Sequence, residues 1–280
     1  QGKQCLQVLA KAQVFSAETQ KSSPYTGALM ALHSGMAHWG LGHYETAFTY
    51  LEQSLALARQ SKIPTVIVGI LGDYGCCLRQ IGKLETALEF HQEALELARE
   101  VEFQDGMVRI SSELGLGLVL SGNSKRGMRL LDGALGQSHD LSDWRKAEVC
   151  LNLAQAHLSL GHIQRALNFS GLAVEMIEPM ELLELGVWAC LIRGQSLLAA
   201  GVTPQAIETL ERGLALLSED CLSMAQFRLL AVLGVLACSQ RADYERRLQS
   251  VVDQLSQNIN NLDLKHTLLA ELQRISAAAD

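Results

Sequence analysis

The stretch 82-GKLETALEFHQEALELARE-100 decides the fold, because 42-GHYETAFTYLEQSLALARQ-60 stands one fixed interval before it. Both open on Gly, carry Glu-Thr-Ala at the fourth to sixth places and end near Leu-x-Leu-Ala-Arg. Stepping outward from these anchors gives Gly2, Gly42, Gly82, Gly122, Gly161 and Gly201, at intervals of 40, 40, 40, 39 and 40 residues. The next step lands on Arg241, where the pattern has decayed. Seven residues before each anchor from Gly42 on stand Gly35, Gly75, Gly115, Ala154, Gly194 and Gly234. Five after come Ala47, Ala87, Gly127, Ala166 and Ala206, and twelve after come Ser54, Ala94, Ala134, Ala173 and Gly213. Small residues at three phases of one period mark a stacked supersecondary unit.

Each anchor Gly sits where an apolar helix ends, the place for a left-handed C-terminal cap. An amphipathic helix follows, such as ETALEFHQEALELARE. Two antiparallel helices joined by so short a turn form a hairpin, and small residues let their axes approach. A glycine inside a helix costs about 1 kcal/mol against alanine, so its recurrence needs a packing reason. Ala154 serves at this phase, so alanine is expected to be tolerated at Gly75 and Gly115 as well. One hairpin cannot bury both its faces and therefore stacks on the next. The expected fold is all-α, a right-handed α-solenoid of hairpins over residues 1–258 with a capping helix over 259–280. First helices are expected near 24–40, 64–80, 104–120, 142–159, 181–199 and 221–239. Second helices are expected near 4–20, 44–60, 84–100, 124–138, 163–178, 203–217 and 243–257, with a last helix over 262–278.

At these residues the chain resembles the tetratricopeptide repeat superfamily. That family has a small residue in its first helix, a turn glycine and two alanines on its second helix. Gly35, Gly75 and Gly115 fill the first class; Gly42, Gly82 and Gly122 the second; Ala47, Ala87, Ala94 and Ala134 the third. The period of 40 exceeds the family's usual value near 34 and implies longer helices. The family's closing proline and first-helix tryptophan are missing. Its tyrosine near the turn is replaced by His38, Leu78, Leu118 and His157.

Composition excludes several functions. The formal net charge is −7 over 280 residues, with no basic face of the kind a nucleic-acid binder shows. The longest apolar run, Leu229–Cys238, is too short to span a bilayer. Seven cysteines without a CxxC spacing read as small buried apolar residues of a cytoplasmic chain. The chain does not begin with Met, and Gly2 is already a turn, so more protein is expected upstream.

Candidate chemistry is sparse. The segment 113-ELGLGLVLSG-122 is glycine-rich but lacks the Lys and the strand–turn–helix setting of a phosphate loop. His38 and His43 are five residues apart, as are His157 and His162, whereas two ligands on one helix turn want three or four. Their matching phases read as repeat structure, and no metal is expected. No Gly-x-Ser-x-Gly elbow occurs. The expectation is a non-enzyme without cofactors.

The resemblance implies a concave groove lined by first helices. Its phases hold His33, Met36 and Trp39, then Asp73 and Arg79, then Arg109 and Glu113. Asn152 and Gln155 follow, then Trp188 and Gln195. The Lys and Asn of the family's carboxylate clamp are absent. The expected role is an interaction module of a larger protein, holding a peptide, a helix or a domain of the same or another chain. The alternative is a ligand-sensing or autoinhibitory segment of a bacterial signal-transduction ATPase or transcription regulator.

Overall fold

The computed structural model describes residues 23–180, 183–217, 222–236 and 240–279. The expected turn at Gly2 and the helix over 4–20 lie outside the described residues. Six hairpins follow one another: α1 (Pro24–Gly40) with α2 (Tyr44–Ser61), α3 (Pro64–Gln80) with α4 (Leu84–Glu100), and α5 (Gln104–Leu120) with α6 (Ser124–Gln137). Then come α7 (Asp143–Ser159) with α8 (Ile163–Ile177), α9 (Leu183–Ala199) with α10 (Thr203–Ala215), and α11 (Met224–Val235) with α12 (Arg241–Asn258). A last helix, α13, spans Leu262–Ala279. No strand occurs among the described residues. The fold is an all-α stack of helical hairpins.

The anchor glycines make the turns. Gly42, Gly82, Gly122, Gly161 and Gly201 have φ between 72° and 91°, where a side chain would be strained. Each turn carries the two hydrogen bonds of a Schellman cap. At the first, Gly42 N–H donates to the Trp39 carbonyl at 3.0 Å and His43 N–H to the His38 carbonyl at 2.9 Å. Arg241 has no such freedom at the sixth position. There α11 ends instead with Leu236 in an extended conformation, earlier than the expected 239. Pro24 and Pro64 open α1 and α3, where a missing N–H costs nothing.

The small-residue phases are the hairpin contacts. Ala47, Ala87, Ala94, Ala134, Ala166, Ala173 and Ala206 are all buried. A Cβ at Gly115 would stand 2.9 Å from the Gly127 carbonyl oxygen, and one at Gly127 would stand 2.5 Å from the Gly115 carbonyl oxygen. A Cβ at Gly75 would stand 2.4 Å from His91 Nε2. The expectation that alanine would be tolerated there is corrected. At Gly115 the obstacle is backbone, which cannot move aside, and at Gly75 it is a buried ring.

The stack closes on its own beginning. Leu255, Leu264, Leu268, Leu272 and Ile275 share one apolar core with α1–α4. The Tyr44 hydroxyl donates to the Leu222 carbonyl at 3.1 Å. Lys83 reaches Asp263 at 3.3 Å, and the Glu45 carboxylate accepts from the Asn261 N–H. Buried Glu271 on α13 accepts from Arg228 on α11 at 3.3 Å and from Arg274 at 2.7 Å.

Candidate functional site

First helices alone line one cleft of the stack. Its volume is about 380 Å³, and its wall takes side chains from α1, α3, α5, α7 and α9. A 40-residue period returns each first helix to the same face, so residues one period apart become neighbours. Asp73 and Glu113 share one phase, with Asn152 one residue short of the next step.

A polar ladder crosses these helices. Arg79 on α3 donates to Glu113 on α5 at 2.6 Å, and Arg109 on α5 pairs with Asp73 on α3. The Asn152 amide on α7 donates to Glu113 at 3.0 Å and to the Ser112 hydroxyl at 2.8 Å. Arg145 on α7 holds both oxygens of Asp105, at 3.0 and 2.8 Å, and pairs with Glu148 as well. Burial alone would raise the Glu113 pKa. The Arg79 guanidinium overcomes it and, with His91 and the Asn152 amide, holds that carboxyl down at about 2. Burial pushes buried His91 down to about 4, against the pull of Glu113.

Cys76 Sγ, His91 Nε2 and a Glu113 oxygen lie within 4.8 Å of one another, close enough to suggest a metal centre. The donor set does not fit a cation. Glu113 already accepts from Arg79 and Asn152, and His91 Nε2 faces the Gly72 carbonyl at 3.3 Å. A divalent ion would also meet the Arg79 and Arg109 charges. Burial raises the Cys76 thiol well above its usual value, so it is protonated and a poor nucleophile.

The cleft gathers most of the residues singled out by phase. Met36, Asp73, Arg79, Arg109, Glu113, Asn152, Gln155 and Trp188 line it. Trp39 does not reach it. It is 4% exposed and packs edge-on against Tyr44 and Phe48, with ring centroids 4.7 and 5.8 Å away. It borders a neighbouring cavity with Trp188. His33 is exposed on α1, and Gln195 is half-buried on α9; neither lines the cleft.

Phase counting passed over Trp144, Glu148 and Glu184, which also form the wall. Two of them had a signal. Glu148 and Glu184 stand one helical turn before Asn152 and Trp188, and residues four apart share a helix face. Glu184 is exposed at the cleft mouth. Its carboxyl is nonetheless pushed up, first by the protein around it and then by the Asp73 carboxylate. It has no hydrogen-bond or ion-pair partner among the described residues.

Residues 27–100 match the tetratricopeptide repeat family. No curated protein matches the sequence. Solved structures share the fold at low identity. BtubC from P. vanneervenii is 16% identical, over 77% of this chain and 90% of that one, with a TM-score of 0.55. A Rap protein complexed with the competence and sporulation factor is 14% identical, over 90% and 76%, with a TM-score of 0.66. The Rap conjugation gene regulator of plasmid pLS20, in complex with the Phr* peptide, is 14% identical, over 93% and 72%, with a TM-score of 0.67. No helix among the described residues is long and apolar enough to cross a membrane. The family match spans residues 27–100, and the later hairpins have glycine turns of the same conformation at Gly122, Gly161 and Gly201.

Proposed function

We propose that the chain is a non-catalytic interaction module whose cleft holds an extended peptide or protein segment bearing a basic side chain. The carrying observation is the unmatched carboxylate. Asp73, Glu113, Glu148 and Glu184 line the cleft against Arg79 and Arg109. Asp73 and Glu113 pair with those arginines and Glu148 with Arg145, which Asp105 shares, so of the four only Glu184 has no ion-pair partner among the described residues. A Lys or Arg from a partner would complete that charge beside Trp188, one turn along the same helix, whose ring the Arg228 guanidinium already faces at 5.8 Å. Two of the structures similar in fold are complexes, one with the Phr* peptide and one with a competence and sporulation factor, as their names state, which supports a bound partner of that kind.

A second reading draws on size. A cleft of about 380 Å³ falls within the roughly 300–1,000 Å³ of small-molecule sites, which suits an inducer-sensing segment of a regulator. Selection of a random peptide display library on the chain separates the two. Enrichment of Lys and Arg, with binding lost in Glu184→Lys and kept when Glu89, Glu93 and Glu96 become Lys, supports the peptide reading. Selected binders that survive Glu184→Lys but are lost from the outer-face variant would place the interface on the second helices and defeat it.

A further inference from the structure

The hairpin turns of α1/α2 and α7/α8 carry one device in two copies, 38-HWGLGH-43 and 157-HLSLGH-162. A spacing of five does not put two side chains on one helix face. The Schellman turn does it instead. The second His donates its N–H to the carbonyl of the first, at 2.9 Å from His43 and 2.8 Å from His162. That backbone bond folds the two rings toward each other. Their Nδ1 atoms stand 3.3 Å apart in the His38–His43 pair and 3.2 Å apart in the His157–His162 pair. The first ring of each pair is fixed flat against an aromatic ring of the following helix. His38 lies on Tyr50 and His157 on Phe169, each with an interplanar angle of 7°.

We propose that each pair is a two-nitrogen site for a borderline divalent cation of the zinc, nickel or copper class. Two imidazole nitrogens, each about 2.0–2.1 Å from a tetrahedral zinc ion, are separated by about 3.3–3.4 Å. The His38–His43 pair meets that bite, and the His157–His162 pair, at 3.2 Å, falls just short of it. The rings also occur together or not at all. The other three glycine turns carry Leu78 with Lys83, Leu118 with Asn123, and Leu197 with Val202. A lone structural role for one ring would not require the other. Imidazole donors select this class of ion over magnesium or calcium. Two coordination positions remain for water or for a donor from a partner. Burial lowers the affinity of His38 and of His157 for protons, which keeps their lone pairs available near neutral pH. Around His157 the Arg165 cation opposes a metal and the Asp132 carboxylate favours it.

Equilibrium dialysis of the untagged chain against Zn²⁺ tests the assignment. The expected uptake is two ions per chain, falling to one in His43→Gln, one in His162→Gln and none in the double variant. His43 is half-buried and His162 exposed, and the rings stacked on Tyr50 and Phe169 are those of His38 and His157. Cobalt loading of the wild-type chain supplies a second readout that needs no variant. A tetrahedral visible spectrum without a thiolate charge-transfer band is expected, unchanged in Cys76→Ser. No uptake, or uptake that persists in the double variant, or a thiolate band that Cys76→Ser removes, overturns the proposal.

Discussion

Arg59–Glu93 and Arg79–Glu113 are Arg–Glu bridges that each join residues 34 apart, the first on the outer surface and the second in the cleft. Arg59 and Glu93 link second helices at 2.7 Å with side chains 56% and 49% exposed. Arg79 and Glu113 link first helices at 2.6 Å with side chains 13% and 12% exposed. The repeat makes both pairs by the same geometry. What differs is the solvent. Water solvates the outer ions almost as well as they solvate each other. The inner ions have given up that water, so each depends on its partner and on the other ladder members. The same chemical pair is thus decoration outside and structure inside.

Removing one inner partner should therefore give the largest effect. Glu113→Ala strands Arg79, whose Nε already lacks a hydrogen-bond partner, and is expected to cost about 3–5 kcal/mol in denaturant unfolding. A loss under about 1 kcal/mol would show that water reaches the ladder and that inside and outside do not differ.

Acid should act next, on the inner pair rather than on the outer bridge. His91 has its folded pKa lowered from 6.5 to about 4, so between these values the unfolded chain binds a proton that the folded chain refuses. Stability from this group is complete above pH 6.5 and is lost as pH falls toward 4, by about 3 kcal/mol in all. Glu113, lowered to about 2, adds a further loss between pH 4.5 and 2. Melting temperatures measured across this range should fall in wild type and fall less steeply between pH 6.5 and 4 in His91→Gln, where the lowered His38 and His157 keep a smaller slope. An equal slope in both proteins would remove His91 as the cause.

A backbone comparison sharpens the contrast with glycines. Gly115→Ala meets the Gly127 carbonyl and should cost about 1–3 kcal/mol. Gly133→Ala, on the outer helix α6 with open space around it, should instead stabilise by about 0.5–1 kcal/mol. If thermal melts rank these two alike, the close hairpin contact at Gly115 is misplaced. The smallest effect belongs to the outer bridge: Arg59→Ala should change stability by less than about 1 kcal/mol, and added salt should erase even that.

The helices and turns were legible because their causes are local and repeated. A positive φ at Gly82 needs glycine whatever the rest of the molecule does, and an alanine stripe on α4 marks a contact wherever its partner lies. The cleft was legible in part. Phase placed Asp73, Arg79, Arg109 and Glu113 on one face, but it could not say that they satisfy each other, because that depends on side-chain reach between helices. An Arg79→Glu test of binding, reasonable from phase alone, would break the ladder before it tested any ligand. Trp39 misled for a related reason: phase gives a direction, and the neighbouring rings of Tyr44 and Phe48 decided that it turns inward.

By itself, then, the sequence determined the period, the hairpins and the face that lines the cleft, since each follows from spacing along the chain and the stereochemistry of glycine. Tertiary structure alone decided three things. It set the return of α11–α13 onto α1–α4, the isolation of Glu184 at the cleft mouth, and the meeting of histidine rings five residues apart across a turn. The reason is common to all three. Each depends on a distance through space that many small helix rotations add up to, and no single stretch of residues carries that sum.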